Sequence, residues 1–323
     1  MKYLFFDVEC SNCFGGIAKI CEFGYVLTDE KFNVLKKDAI PMSPGIRKSE
    51  NRFDLAIYKR DPTFQWAFEK DFYFECPEFP EFYELLKKLF EDEETIIFGY
   101  SVDNDIRYLG DTFKRYNLTP FEYIAFDIQR MMKYYSEKKD KLFCLKDAFK
   151  KLCSNDEFMQ LDPHYSQDDA FMAMRVLQKM CDNLEITPLE MCNLCNNCKY
   201  DANEYLNKFQ ENKRLKEKNQ LRSRNQRIWN KFCKQYFSMV EKDEFVGKIV
   251  TISYKIMDNK DLFEEIIHLI KTRNFIASKK IKMSDYLITL DEEDTQRLKN
   301  ELKHPYSGKI LNIDEFKNLE IKI

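Results

Sequence analysis

Residues 3–9 read Tyr-Leu-Phe-Phe-Asp-Val-Glu, and this segment constrains the fold more than any other. Four consecutive apolar residues and a following valine demand a short strand buried on both faces. Asp7 and Glu9 stand two positions apart, so their side chains project from one face while Phe6 and Val8 point to the other. Two acids on one face of a buried strand repel each other unless something cationic lies between them. A divalent metal resolves that conflict. For this pair alone, a solvated edge strand carrying Asp-x-Glu by chance is the simpler reading.

The pattern around it predicts an α/β layer structure with a mixed sheet. A turn at Gly15-Gly16 leads to a second strand over 19–28 (Lys-Ile-Cys-Glu-Phe-Gly-Tyr-Val-Leu-Thr) and, after the polar Asp29-Glu30-Lys31, to a third over 32–36. Residues 37–77 are broken by Pro41, Pro44 and Pro62. Helical spacing over 80–90, a buried strand at 95–100, helical spacing over 105–115 and a strand at 123–128 follow, with helices over 142–152 and 170–180. Consecutive strands first, then strands alternating with helices, give this fold class.

Three further groups bear on chemistry. Asp105 begins the predicted 105–115 helix just after a buried strand, where an acid ordinarily interacts with the helix dipole and Asp103 is a candidate cap. His164 follows Asp162-Pro163 in a loop, and Asp168 and Asp169 open the next helix, where acids are ordinarily caps. The force lies in their conjunction within one α/β domain. Carboxylate oxygens suit Mg²⁺ or Mn²⁺, and an imidazole can take a proton from water near neutral pH. Together they point to metal-assisted hydrolysis of a phosphodiester. Asp168 competes with Asp169 as ligand, but one residue along a helix turns the side chain by about 100°, so both cannot hold the same position.

The chain has 323 residues, more than one domain needs, and charged residues make up 33% of it, which suits a soluble protein. No apolar run approaches about 18 residues, so no membrane span is expected. The N-terminus meets an acid too soon for a signal peptide, and the eleven cysteines are odd in number and irregular in spacing, so reduced thiols and a cytoplasmic location are expected. The net charge of −3 neither advertises nor excludes nucleic-acid binding. Three regions are expected: a catalytic domain over 1–183, a basic helical connector over 184–243, and a small α/β domain over 244–323. In the connector, a basic stretch over 199–236 with interleaved Tyr205, Phe209, Trp229 and Phe232 is either a solvated helix or a track for a phosphate backbone. Cys192, Cys195 and Cys198 form either a semi-apolar stripe on one helix, with Leu194 nearby, or a zinc site short of its fourth ligand.

Read at these residues, the chain resembles the DnaQ-like exonuclease superfamily in its DEDDh branch, which includes the proofreading epsilon subunit of bacterial DNA polymerase III. Asp7-x-Glu9 matches the first motif. Gly99-Tyr100-Ser101-Val102-Asp103-Asn104-Asp105-Ile106-Arg107-Tyr108-Leu109 matches the second, and His164-x4-Asp169-Ala170 the third. Glu22-Phe23-Gly24-Tyr25-Val26 and Phe126-Asp127-Ile128-Gln129 add secondary similarities. Cys10-Ser11 departs from the Thr-rich segment that often follows the first motif, and Tyr100-Ser101 departs from the usual His-Asn. Residues 244–323 resemble a BRCT domain in Gly247–Ser253, Ile281–Ile288 and Ile310–Phe316. The usual glycine pair after the first helix is replaced by Thr272-Arg273-Asn274-Phe275, and the frequent tryptophan of the last helix is absent.

The resemblance implies a ribonuclease H-like fold over 1–183 and two Mg²⁺ or Mn²⁺ ions held by Asp7, Glu9, Asp105 and Asp169, with His164 as general base. It implies 3′→5′ release of nucleoside monophosphates from a nucleic acid with a free 3′ end. The BRCT-like tail favours DNA over RNA, and repair or replication proofreading, with a polymerase or repair protein as the tail's partner. The alternatives are an exoribonuclease and a non-catalytic scaffold that binds nucleic acid or partners.

Overall fold

The computed structural model describes residues 1–12, 18–45, 66–136, 142–162, 164–239, 247–302 and 306–319. The Gly15-Gly16 turn, Pro62, Pro163 and His304 lie outside the described residues. The chain divides into two compact units, Met1–Phe209 and Gln210–Ile323.

In the first unit the strands are β1 (Lys2–Asn12), β2 (Lys19–Asp29), β3 (Val34–Pro41), β4 (Thr95–Gly99), β5 (Ile124–Asp127) and β6 (Lys199–Asp201). They form one mixed sheet in the order β3-β2-β1-β4-β5-β6. β2 runs antiparallel to β1 and β3, β4 and β5 run parallel to β1, and β6 closes the sheet antiparallel to β5. This is the mixed α/β arrangement of the ribonuclease H-like fold. The helices are α1 (Lys70–Glu75), α2 (Phe79–Phe90), α3 (Val102–Tyr116), α4 (Ile128–Tyr135), α5 (Leu145–Leu152), α6 (Asn155–Phe158), α7 (Ser166–Leu184) and α8 (Pro188–Leu194).

The alternation along β1 sorts the core into two layers. Tyr3 and Phe5 pack with Val26, Phe98 and the Ala170, Ala173, Met174 and Leu177 face of α7. Leu4, Phe6 and Val8 pack on the other side with Phe23, Leu86, Ile106, Leu109 and Phe113. Phe5 and Phe6 are both fully buried, each contributing up to about 3 kcal/mol of transfer free energy. Asp7 and Glu9 therefore leave the sheet on the α7 side.

Several expected boundaries move. β3 occupies 34–41 rather than 32–36, because Phe32 takes a left-handed turn conformation (φ 61°) and its N–H bonds to the Asp29 carbonyl at 3.1 Å. α3 begins at Val102, three residues before Asp105; Ser101 is its N-cap with φ 61°, and Asp103 does not cap it. α5 begins at Leu145 rather than 142, and α7 begins at Ser166 rather than 170. The first unit also runs past residue 183: Tyr200 and Ala202 belong to its core, and β6 comes from the stretch expected as helical connector.

The cysteines do not share one helix. α8 ends at Leu194, so Cys192 lies on it, Cys195 at its C-cap and Cys198 at the end of a short 3₁₀ turn. All three are buried in the α7-side core, while Leu194 is exposed. Burial pushes the Cys192 thiol up to about 12. The Cys195 and Cys198 side chains interact, which lowers Cys195 and raises Cys198, and the Cys198 thiol donates to Asn197 Oδ1 at 3.8 Å.

A long helix, α9 (Ala202–Met239), carries the chain into the second unit. That unit holds β7 (Ile249–Ile252), α10 (Lys260–Thr272), β8 (Ile276–Ala277), β9 (Tyr286–Thr289), α11 (Glu292–Glu301), β10 (Lys309–Asn312) and α12 (Ile313–Lys317). Its sheet is parallel throughout, in the order β10-β9-β7-β8. Trp229 and Phe232 of α9 pack into its core with Val250, Phe263, Ile270, Phe275 and Phe316. Among the described residues, no helix is long and apolar enough to cross a membrane.

Candidate active site

β1 and β4 run parallel with Phe6 opposite Gly99, so the β4–α3 turn arrives at the sheet end that carries Asp7 and Glu9. A left-handed Ser101 makes the turn abrupt, and its N–H donates to Asp127 Oδ1 at 3.1 Å. Asp127 also caps α4 through the Gln129 N–H at 2.9 Å. Burial raises its carboxyl to about 6, against those hydrogen bonds. One buried carboxylate thus locks the turn that delivers Asp105. Asp105 is itself buried and accepts a hydrogen bond from the Val8 backbone on β1.

The third motif arrives by a different device. Asp7 pairs with Gly24, and Glu9 with Glu22, across the β1–β2 ladder. A Cβ at Gly24 would lie 2.1 Å from the Ser166 carbonyl carbon and 2.2 Å from the Gln167 nitrogen. Only glycine lets the first turn of α7 rest against the sheet here. Glu22 then fastens that turn: it accepts the Ser166 N–H at 2.9 Å, the Ser166 hydroxyl, and the Tyr73 hydroxyl at 2.9 Å. Glu22 is almost wholly buried, and burial raises its pKa against these three bonds.

The result brings Glu9, His164 and Asp169 together, with one ligand atom from each lying within 4.8 Å of the others. His164 is exposed and has φ 74°, a conformation that is unusual outside glycine. Its backbone donates to the Asp169 carboxylate. Neither Asp168 nor Asp169 caps α7. Asp168 turns away and is buried, with Oδ1 on Lys37 Nζ at 2.6 Å and Oδ2 on the Asp162 N–H at 3.0 Å. It ties β3 to the loop that carries His164.

The electrostatics of the cluster are unbalanced. Burial, then Asp169 and Glu22, push Asp7 well above the carboxylate range. Glu9 is raised by burial and then by Asp7, and Asp105 by burial and then by Asp7. Asp169 is pushed up to about 7, chiefly by burial and against the hydrogen bond from His164. Asp7 Oδ2 is buried with no hydrogen-bond partner among the described residues. Four crowded carboxylates with an orphaned oxygen fit a divalent cation, which would relieve desolvation and repulsion together. Glu22, Gly24, Tyr73, Ser166 and Lys37 stood outside the sequence-derived set of site residues. The Glu22-Phe23-Gly24 spacing held the signal, once paired with Asp7-x-Glu9.

No protein-family model and no curated protein matches the chain. Among solved structures, the chain is similar to E. coli exonuclease I in complex with a dT13 oligonucleotide, at 14% identity and a TM-score of 0.42, over 57% of this chain and 42% of that one. A complex of ExoI with SSB-Ct gives 13% identity and a TM-score of 0.42, over 56% and 41%. Apo exonuclease I gives 14% and 0.43, over 60% and 44%. The chain spans less than half the length of each of these structures.

Proposed function

We propose that the first unit is a metal-dependent 3′→5′ exonuclease of DEDDh type that releases nucleoside monophosphates from DNA. The observation that carries this reading is the meeting of Glu9, His164 and Asp169 beside the unpartnered, buried Asp7 Oδ2. Asp7, Glu9, Asp105 and Asp169 would hold two Mg²⁺ or Mn²⁺ ions. When bound, such ions supply charge stabilisation on a phosphodiester and acidify a water. His164, exposed at the edge of the cluster, would take a proton from the attacking water as the new P–O bond forms and the bond from phosphorus to the 3′ oxygen of the preceding nucleotide breaks. Asp127 and Glu22 position the turns that carry Asp105 and Asp169.

The second unit is proposed as a BRCT-like module that recruits a polymerase or repair protein. Its parallel sheet, with the first strand between the second and third, supports this. Where the glycine pair is missing, Asn274 adopts the left-handed conformation (φ 55°) that glycine takes readily, at the end of α10. Arg273 donates to the Phe316 and Lys317 carbonyls at 2.8 and 2.7 Å, holding the end of α12. This tail favours DNA repair or proofreading for the pair.

The test is a 5′-labelled single-stranded DNA and the matching RNA, incubated with Mg²⁺ or Mn²⁺ beside Asp7→Ala and His164→Ala. A ladder descending from the 3′ end, abolished by Asp7→Ala and slowed by His164→Ala, is expected, with DNA the faster substrate. Faster RNA cleavage assigns an exoribonuclease, and no cleavage of either leaves a binding module.

A further inference from the structure

The second unit carries a strip of uncompensated positive charge on α9. Between residues 211 and 234 the sequence holds nine Lys and Arg against Glu211 and Glu217, and from 218 to the end of the helix at Met239 it holds no acid. The basic residues are not scattered. At about 100° per residue, Lys213, Lys216, Arg224, Arg227, Lys231 and Lys234 fall within an arc of about 80°, over a length of about 32 Å. All six are exposed, and none is ion-paired among the described residues. Of the other three cations, Arg214 is exposed and lies outside that arc. Lys218 and Arg222 lie on the face that holds buried Asn225 and Trp229, and both pair with Asp258, at 3.5 and 2.5 Å.

One face of the helix is therefore consumed by the core, and the opposite face is a row of like charges. Lys213–Lys216, Arg224–Arg227, Arg227–Lys231 and Lys231–Lys234 stand at i,i+3 or i,i+4, where like charges destabilise a helix. A solvated helix with no other task relieves this with interleaved acids; here only Glu217 borders the row. At its C-terminal end, Lys234 shares a cavity of about 690 Å³ with Cys233, Lys279 and Lys280, which adds two cations to the row. A linear, unpaired cation track matches an extended polyanion. It does not suit insertion into a lipid surface, because the apolar face of the helix is already packed against the core.

We infer that this face of α9 binds the phosphate backbone of a nucleic acid strand, as a site separate from the acidic cluster. The inference rests on the nuclease reading only for which strand occupies it. The experiment is fluorescence anisotropy of a labelled single-stranded DNA with the full chain in EDTA, across a salt series. Six neutralised positions (Lys213→Gln, Lys216→Gln, Arg224→Gln, Arg227→Gln, Lys231→Gln, Lys234→Gln) should weaken binding about tenfold or more at 0.1 M salt and reduce the log–log salt slope by about 4. A charge-conserving set, Lys→Arg and Arg→Lys at the same positions, should bind as the parent does. Should the full set unfold, Arg224→Gln, Arg227→Gln and Lys231→Gln alone should cut the slope by about 2.

Unchanged affinity and slope in a folded neutralised variant would overturn the inference. So would binding that depends on the row only with phosphatidylserine vesicles, or loss of binding in the charge-conserving set. Cleavage is scored separately in Mg²⁺. A chain that binds DNA through the row but cuts nothing refutes the nuclease reading alone. One that cuts, while its neutralised variant binds as tightly as the parent, refutes the row alone.

Discussion

Gly24 stands opposite Asp7 in the β1–β2 ladder, and the backbone of Ser166 fills the space its missing side chain leaves. The pairing joins the first acid of the cluster to the helix that brings the last. Gly24→Ala should therefore be damaging although alanine suits a strand no worse than glycine does. The added methyl would meet backbone atoms at 2.1–2.4 Å, which cannot swing aside as a side chain would. A loss of about 3 kcal/mol or more is expected from overpacking, read by urea denaturation, with weakened metal binding as α7 lifts. Wild-type stability and metal affinity in the variant would show that α7 does not rest on Gly24.

Glu22 should prove a positioning residue. Glu22→Ala strands the Tyr73 hydroxyl and the Ser166 N–H and hydroxyl in a buried site, at about 1–3 kcal/mol for each unsatisfied group. Glu22→Gln keeps the shape and one acceptor oxygen, so it should fall between wild type and alanine in melting temperature. If Glu22→Ala melts with the wild type but loses Mn²⁺ affinity, Glu22 is a ligand and the assignment to positioning is wrong.

How much of this was legible in the sequence depends on the range of the information. Asp7 and Glu9 were readable because strand alternation is local. The two-sided burial of β1 followed from Phe5 and Phe6 for the same reason. Glu22 and Gly24 read from sequence only as neighbours of a motif, because their work depends on the β1–β2 register, and no local pattern prints a register. β6 escaped because three residues are too short to show a period, and its place is set by pairing with β5. The start of α3 was misplaced because Ser101 adopts a left-handed conformation normally signalled by glycine.

Asp168 and Asp169 should separate cleanly. Asp169→Asn removes a member of the cluster, so metal binding by calorimetry and any cleavage should be lost. Asp168→Asn weakens the Lys37 pair but leaves an amide oxygen for the Asp162 N–H. It should lower stability by about 1–2 kcal/mol and spare metal affinity. Equal losses of metal affinity in the two variants would mean that the register of α7 differs from the one described.

Metal and proton should compete for the acidic cluster, and the sign of the effect follows from the raised pKa values. A carboxyl raised in the folded state stays protonated there while its unfolded counterpart ionises. Its contribution is complete below about pH 4, the ordinary carboxylate value, and is lost as pH rises through the folded value. For Asp169 that window runs up to about 7; for Asp7, Glu9 and Asp105 the direction is the same. In EDTA the cluster should therefore lower the melting temperature as pH rises from 5 to 8. Mn²⁺ displaces those protons and neutralises the ionised acids, so its stabilising shift should be small at pH 5 and larger at pH 8. An Asp7→Asn, Asp169→Asn double variant should lose most of both effects, because it removes two titrating groups and two ligands. A Mn²⁺ shift equal at the two pH values, or one retained in the double variant, would place the bound metal outside this cluster.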